Sequence, residues 1–361
     1  MDKPIDLTVK AEELVAAGKT TEGDLSPLSP FLNDSDAAPS TELMKNGAVK
    51  PAYHQVFKTL AQADRMGACS YIGADGLLDT SIYTEPDGPA VSLAMADDGV
   101  RIQSPVNAIG ILEWLAQQNG VSMVSSCEFK AELSIKETAI LFAVVDAARR
   151  KAMGVMSGSD GDFTPITVAD VIFPDVDETD LQWLAPHFTA AYEMSKLDGE
   201  IPKKGIQRLA QKGFVSLEKQ NIILSDALED LASKFMLLEG HLRLRLAEAD
   251  KDGTVKMTDV RGVRGRGNAV LIWTDNGRTV TLQGASPAQV MAIARNILGV
   301  DQESHLETVS ATAPAPPSKM DRSVQSTTLK VKKKRKFRWW MIPLILLVLY
   351  LIFEVVLWLS V

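Results

Sequence analysis

Residues 90–115 read AVSLAMADDGVRIQSPVNAIGILEWL, and residues 269–298 read AVLIWTDNGRTVTLQGASPAQVMAIARNIL. Both stretches carry the same signals in the same order. A short apolar run comes first, then an Asp-Gly or Asn-Gly pair (Asp98-Gly99, Asn276-Gly277) and an alternating run. A Gln (Gln103, Gln283), a Ser-Pro (Ser104-Pro105, Ser286-Pro287) and an apolar helical pattern follow. Glycine accepts the positive φ of a tight hairpin turn, so the first signals predict paired antiparallel strands. Serine caps a helix, and proline is tolerated at its first position, where the missing N–H has no intrahelical partner anyway. A hairpin followed by a helix is thus written twice. This predicts an α+β fold of pseudo-duplicated hairpin-plus-helix units rather than a parallel nucleotide-binding sheet.

The text between the two units is mostly helical. Ser134-Ile135-Lys136-Glu137 forms a capping box that opens the run KETAILFAVVDAARRKAMGVM. In residues 201–235 the pattern predicts a helix through Ala210, a stop at Gly213, strands at 214–217 and 221–224 about a Glu218-Lys219-Gln220 turn, and a helix capped by Ser225. Helix, tight hairpin and helix together resemble a winged-helix module. The whole arrangement, with hairpin-then-helix units at both ends and a winged-helix-like segment before the second, resembles the chaperones of type VII secretion. Residues 201–300 carry that likeness best and residues 51–118 more loosely. It implies escort of a protein partner and assigns no functional residue. An apolar C-terminal stretch departs from those soluble chaperones.

That stretch, residues 339–361, is 23 residues long with one acid, Glu354, and no basic residue. As a helix it reaches about 34 Å, enough for a hydrocarbon core of about 30 Å. Trp339, Trp340 and Trp358 suit the interfaces, and Pro343 falls in the first turn. Seven cations precede it: Lys330, Lys332, Lys333, Lys334, Arg335, Lys336 and Arg338. Such a collar stays on the cytosolic side and is drawn to anionic lipid headgroups. With no secretory signal at the N-terminus and nothing charged after the span, the expected architecture is tail-anchored and single-pass, with the bulk of the chain cytoplasmic. Glu354 is expected to protonate, to reach far-leaflet water or to make a helix–helix contact. The Ala-rich, Cys-poor composition suggests a bacterial inner membrane.

At 46% hydrophobic and 23% charged, the 361 residues exclude a mostly disordered or collagen-like chain. Cys69 and Cys127 are too few and too far apart for a disulfide framework or a CxxC metal knuckle. The net charge of −8 conceals a split, because residues 1–329 hold 31 basic against 45 acidic groups, a net of −14. The expected organisation is a flexible region at 1–50, a first α+β unit with helical segment at 51–200, and the winged-helix-like segment with the second unit at 201–300. A Ser/Thr/Ala/Pro-rich tether at 301–329, the basic segment at 330–338 and the membrane helix at 339–361 complete it.

Ala17-Gly18-Lys19-Thr20 lacks the earlier glycine of a phosphate loop and has Glu13 in its place. Ser157 and Ser159 in SGSDG lack nucleophile-elbow spacing and read as a loop. His54, His187, His241 and His305 show no metal-ligand spacing. Glu248, Asp250, Asp252, Gly253 and Asp259 imitate a calcium loop, but Lys256 at position 9 and the text VRGVRGRG after it favour a solvated Asp-Gly turn. Arg261, Arg264 and Arg266 alternate with glycine and read as a strand start with solvated charges. Lys203, Lys204, Arg208 and Lys212 fall on or after the helix that would read DNA in a winged-helix protein. The acidic body counts against nucleic acid. The expectation is a non-enzymatic membrane adaptor binding protein partners and anionic lipids, with no cofactor. The alternative is a membrane-anchored DNA-binding regulator.

Overall fold

The computed structural model describes residues 4–300 apart from 22, 33–38, 75, 87, 159–163, 173–181 and 195–199. The tether, the seven cations from Lys330 to Arg338 and the apolar stretch with Glu354 lie outside the described residues. Among the described residues no helix is long and apolar enough to cross a membrane.

The chain is α+β. Its first part gives β1 (Ile5–Val9), α1 (Ala11–Gly18), the two-residue strands β2 (Met44–Lys45) and β3 (Ala48–Val49), and α2 (His54–Gln62). A four-strand meander follows: β4 (Arg65–Gly73), β5 (Gly76–Thr84), β6 (Val91–Ala96) and β7 (Gly99–Ser104), closed by α3 (Ala108–Asn119). The second part opens with β8 (Lys130–Ser134), α4 (Ile135–Met156), β9 (Ile166–Thr167), α5 (Leu184–Ala191) and α6 (Glu200–Gln211). It continues through β10 (Val215–Glu218), β11 (Asn221–Leu224) and α7 (Asp226–Lys234). A second meander then runs through β12 (Gly240–Ala249), β13 (Val255–Arg264), β14 (Val270–Asp275) and β15 (Thr279–Ala285) to α8 (Pro287–Leu298).

Ten strands join in one antiparallel sheet, ordered β1-β7-β6-β5-β4-β12-β13-β14-β15-β8. The order reads the same inward from either edge: a strand from before the helices, then the meander in reverse. The halves meet where β4 pairs with β12 over nine residue pairs centred on Cys69 opposite Leu244. The repeated unit is therefore larger than a hairpin and a helix. It divides at residues 120–129, inside the stretch expected to be the first unit. The first 50 residues, expected to be flexible, supply the edge strand β1, the helix α1 and the buried side chains Phe31 and Leu43.

Strand alternation fixes two faces. Cys69, Tyr71, Ile82, Leu242, Leu244, Val260 and Ile272 point to one, where α3 and α8 cover them with Leu112, Leu115, Val290, Ala294 and Ile297. The other face carries two separate helical layers. One packs α1, α2 and Phe31 on Tyr83, Val91 and Ile102, and the other packs α4, α5, α6 and α7 on Leu271, Trp273 and Leu282. Between those layers, mid-sheet, the side chains are Ser70, Asp79, Ser81, Arg243 and Arg245, and all are partly exposed.

The two Ser-Pro signals end differently. Ser286 caps α8 in a full capping box with Gln289, and Pro287 takes the first turn as expected. Ser104 does not cap α3. It still lies in β7, paired with Ile5 of β1, and its hydroxyl donates to the Ala90 carbonyl (3.2 Å). The Ser104-Pro105 bond is cis, and the cap passes to Asn107, whose Oδ1 accepts from the Gly110 amide at 2.9 Å. The expected helix–hairpin–helix at 201–235 is present. Gly213 (φ +77°) ends its first helix, Lys219 (φ +59°) turns the hairpin, and β9 adds a third strand in the order β10-β11-β9. Ser225 sits at the N-cap position of α7 without a capping hydrogen bond.

The C-terminal helical layer is organised by a buried ion pair on α4. Arg149 is 0% and Asp146 1% exposed, and they meet at 2.6 Å. Asp146 accepts from the Leu184 and Ala185 amides (3.2 and 2.8 Å), so it caps α5. Arg149 donates to the carbonyls of Gln182 and Met236 (2.6 and 3.2 Å), tying the approaches to α5 and β12 together. Each charge is partnered on several sides, as burial demands.

Candidate docking cleft and charged strip

A cleft of about 840 Å³ opens beside the sheet between α3 and α8. Ile109, Leu112 and Ala116 line it from α3, Ala288, Met291 and Ala292 from α8, and Val121, Met123 and Val300 from the connections. Three of these apolar side chains face water strongly: Ile109 is 55% exposed, Val121 72% and Met123 82%. Glu113 and Arg295 stand on opposite walls, and no ion pair joins them among the described residues. The loop at 120–129 that carries Val121 and Met123 is pinned at both ends. Gly120 (φ +78°) turns the chain out of α3, and the Ala288 amide donates to the Ser122 carbonyl (3.1 Å). At the far end, Gly284 lies so close under the loop that a Cβ there would sit 1.9 Å from the Cys127 carbonyl oxygen. Helix α8 is likewise held at its C-terminus, where Gly299 is left-handed (φ +73°) and Arg65 donates to the Asn296 and Ile297 carbonyls (2.6 and 3.2 Å). An apolar, solvent-facing cleft with two unlike charges on its walls is suited to burying an apolar segment.

The opposite face presents a charged strip. Arg243 is bidentate to Asp259, with Nη2 at 2.7 Å from Oδ2, and Arg261 shares the same carboxylate at 3.1 Å. Burial alone would raise the Asp259 carboxyl, but the two guanidiniums outweigh it and hold it below the ordinary value. Arg261 also donates to the Ala191 carbonyl (3.1 Å) and lies over the Tyr192 ring at 5.1 Å. On the neighbouring strands the Ser70 hydroxyl donates to Asp79 (2.8 Å). Beyond Arg261, the rings of His187 and His241 lie 4.0 Å apart. Burial, with help from His241 and Arg261, pulls the His187 imidazole down to about 3.

Lys203, Lys204 and Arg208 share the exposed side of α6, whose Ile206 and Leu209 are buried. Gly205 brings α6 so close to α4 that a Cβ would meet Ile140 Cδ1 at 1.9 Å. Lys212 does not join that group; its ammonium lies 3.2 Å from Glu137 of the α4 capping box. The calcium-like spacing is a hairpin turn, with the Asp250 amide donating to the Thr254 carbonyl (2.8 Å) and Asp259 far along β13 in the charged strip. Arg261 and Arg264 are not a solvated strand start. They close β13, paired with Asp259 and with Glu239 (3.2 Å) respectively. Gly18 ends α1 under Phe31. Among the described residues no three His, Cys, Asp or Glu side chains group as a metal site. Lys330, Lys332, Lys333, Lys334, Arg335, Lys336, Arg338 and Glu354 lie outside the described residues.

Sequence reading missed both the cleft and the strip. The strip had a signal: Leu242-Arg243-Leu244-Arg245-Leu246 is a strict alternation that gives one strand an apolar and a cationic side. The cleft had none, because Ile109, Val121 and Met123 look like any core residues until the neighbouring helix is known. No protein-family model matches the chain, and no curated protein shows a significant sequence match.

Proposed function

We propose that the protein is a membrane-tethered adaptor that holds a protein partner in the cleft between α3 and α8. The carrying observation is that cleft, an apolar recess of about 840 Å³ with Met123 82% exposed at its rim. An amphipathic helix laid between two helices is a common recognition mode, and methionine adapts to varied apolar partners. Glu113 and Arg295 on opposite walls would fix which way round such a helix lies. On this reading residues 330–338 rest on anionic headgroups and 339–361 span the bilayer, with the acidic body cytoplasmic. Tethering concentrates the cleft at the membrane, which suits a secretion or assembly system and needs no catalytic group. The likeness to type VII secretion chaperones points the same way.

The test is co-purification of the full chain from membranes, wild type against an Ile109→Asp/Met123→Asp double variant. Both positions are exposed, so the variant should fold. A partner enriched with the wild type and lost from the variant supports the reading; a partner retained by the folded variant overturns it. The second reading, a membrane-anchored winged-helix regulator, is favoured by one observation, the exposed Lys203, Lys204 and Arg208 on α6. It requires DNA affinity that falls steeply with salt and disappears when these three become Glu.

A further inference from the structure

We propose that the open middle of the sheet, on the face away from the cleft, binds a single carboxylate, with Arg245 as its main contact. The ladder places Arg245 opposite Ala68 on one side and Asp259 on the other, and Ala68 in turn faces Ser81. Arg245 and Ser81 are thus two strand spacings apart, roughly 10 Å at their backbones. On the ladder the Ala68 methyl stands between them, and the Tyr83 phenol reaches in beside the Ser81 hydroxyl, leaving a floor with a guanidinium on one bank and two hydroxyls on the other.

The charges around this floor do not cancel. Arg243 and Arg261 both spend their hydrogen bonds on Asp259, and Asp79 takes the Ser70 hydroxyl. Arg245 makes no hydrogen bond and no ion pair among the described residues, and its Nε is shut off from solvent without a partner. Burial and the like charges of Arg243 and Arg261 weaken its hold on its own proton. Three cations against two carboxylates leave one positive charge, in a body that is otherwise strongly acidic. One monoanion completes the site, whereas a phosphate dianion would leave excess negative charge between Asp79 and Asp259. Alongside, a pocket of about 210 Å³ reaches from Asp79 and Ser81 to Leu14, Leu93 and Met95. It takes the apolar neighbour of the bound carboxylate. The ligand class is therefore an acidic residue beside an apolar one in a partner protein. The adaptor reading supplies that source, but the site itself stands without it.

The experiment uses the full chain in a neutral detergent, labelled with ¹⁵N-arginine, and follows the Nε–Hε correlations. Sodium acetate is titrated against sodium chloride at matched ionic strength. The Arg245 peak, assigned by its loss in Arg245→Gln, should shift saturably with acetate. The peaks of Arg101 and Arg243, already held by Asp6 and Asp259, should stay. Arg245→Lys assigns the peak if the glutamine variant does not fold. Asp79→Asn should tighten acetate binding about twofold, the worth of one unit charge at about 10 Å in water. An Arg245 peak that does not move in excess acetate, or that moves at lower phosphate than acetate, overturns the proposal. Either result leaves the Ile109/Met123 test of the cleft unaffected.

Discussion

Over the N-terminal meander lie two short helices, α1 and α2, held by Phe31 stacked on Phe57 at 5.5 Å. Over the C-terminal meander lie four, packed round α4 and an aromatic group of Phe142, Phe188 and Trp273 with centroids 5.4 to 6.1 Å apart. Their buried charges differ in the same sense. Glu85, under the thinner layer, is reached by Thr59 (3.2 Å), Gln55 (3.3 Å) and the half-exposed Lys58 (3.7 Å). Asp146 and Arg149, under the thicker layer, are almost wholly shut off from water and are bonded to each other and to four backbone groups. Strand pairing carries the repeat, while each half's helices solve a separate burial problem. A thicker layer takes the charge almost entirely out of water, and the deeper the burial the more partners the charge requires.

Breaking the two charged nodes tests that contrast most severely. Asp146→Ala leaves Arg149 buried without its counter-ion and α5 without its cap, an expected loss of about 3–5 kcal/mol. Glu85→Ala strands only neutral donors and a lysine that can turn to solvent, an expected loss of about 1–3 kcal/mol. Urea unfolding of the full chain in detergent, followed by fluorescence, measures both. Equal losses would break the comparison. A smaller contrast comes from two close approaches. A Cβ at Gly67 of β4 would lie 2.1 Å from the Ile297 carbonyl oxygen, against backbone that cannot move without lifting α8. A Cβ at Gly205 meets the Ile140 side chain instead, 1.9 Å from Cδ1 and 3.1 Å from Cγ1. Gly67→Ala should cost about 1–3 kcal/mol. Gly205→Ala should cost less than Gly67→Ala, since a side chain rather than backbone must give way and a helical alanine returns about 0.5–1 kcal/mol.

What could be read in advance follows from how local each signal is. The Asp-Gly and Asn-Gly turns, the Ser134–Glu137 capping box and the helix–hairpin–helix at 201–235 are each written within a few residues, and the chain forms them. Ile5, Leu7 and Val9 alternate, but five residues are too few to stand out without β7 beside them. Asp146 and Arg149 sit three apart in an otherwise apolar run, a hint of an internal pair. Their backbone partners, 33 to 87 residues away, carry no trace in the text. The cleft arises only when the halves pair at β4 and β12 and bring α3 beside α8, whereas the Arg243–Asp259–Arg261 part of the strip forms within β12 and β13. No motif spans that junction.

A pH series sharpens the comparison because its main titrating group belongs to one half. The His187 imidazole is pulled down to about 3 in the folded chain, chiefly by burial, from an ordinary value near 6.5. The unfolded chain takes up a proton that the folded chain refuses. His187 therefore contributes stability fully above about pH 6.5 and loses it as pH falls from there toward 3. The slope in that window approaches on the order of 1 kcal/mol per pH unit, reduced by the partial exposure of the ring. His187→Gln should flatten the urea midpoint between pH 7.5 and 5.5; an unchanged slope would place the proton elsewhere. The depressed carboxyls of Asp259, Glu137 and Asp170 act in a separate window, where their stabilisation is lost only as pH falls below the ordinary carboxylate range.

The smallest effects compare the two Ser-Pro signals directly. Ser286→Ala removes the bond that the serine hydroxyl accepts from the Gln289 amide, while the Ser286 amide can still donate to Gln289 Oε1; it is expected to cost about 0.5–2 kcal/mol, with faster hydrogen exchange at the Gln289 amide. Ser104→Ala removes one hydrogen bond to Ala90 and should cost about 0.5–1.5 kcal/mol while leaving the Gly110 amide as protected as before. Asn107→Ala should expose that amide instead. If Ser104→Ala deprotected Gly110, the serine would be capping α3 from within the strand, and the account of why identical text ends differently would fail. The difference is geometric. A residue whose backbone is paired to β1 through Ile5 keeps extended dihedrals, and its side chain stands off the sheet instead of turning back along a helix axis.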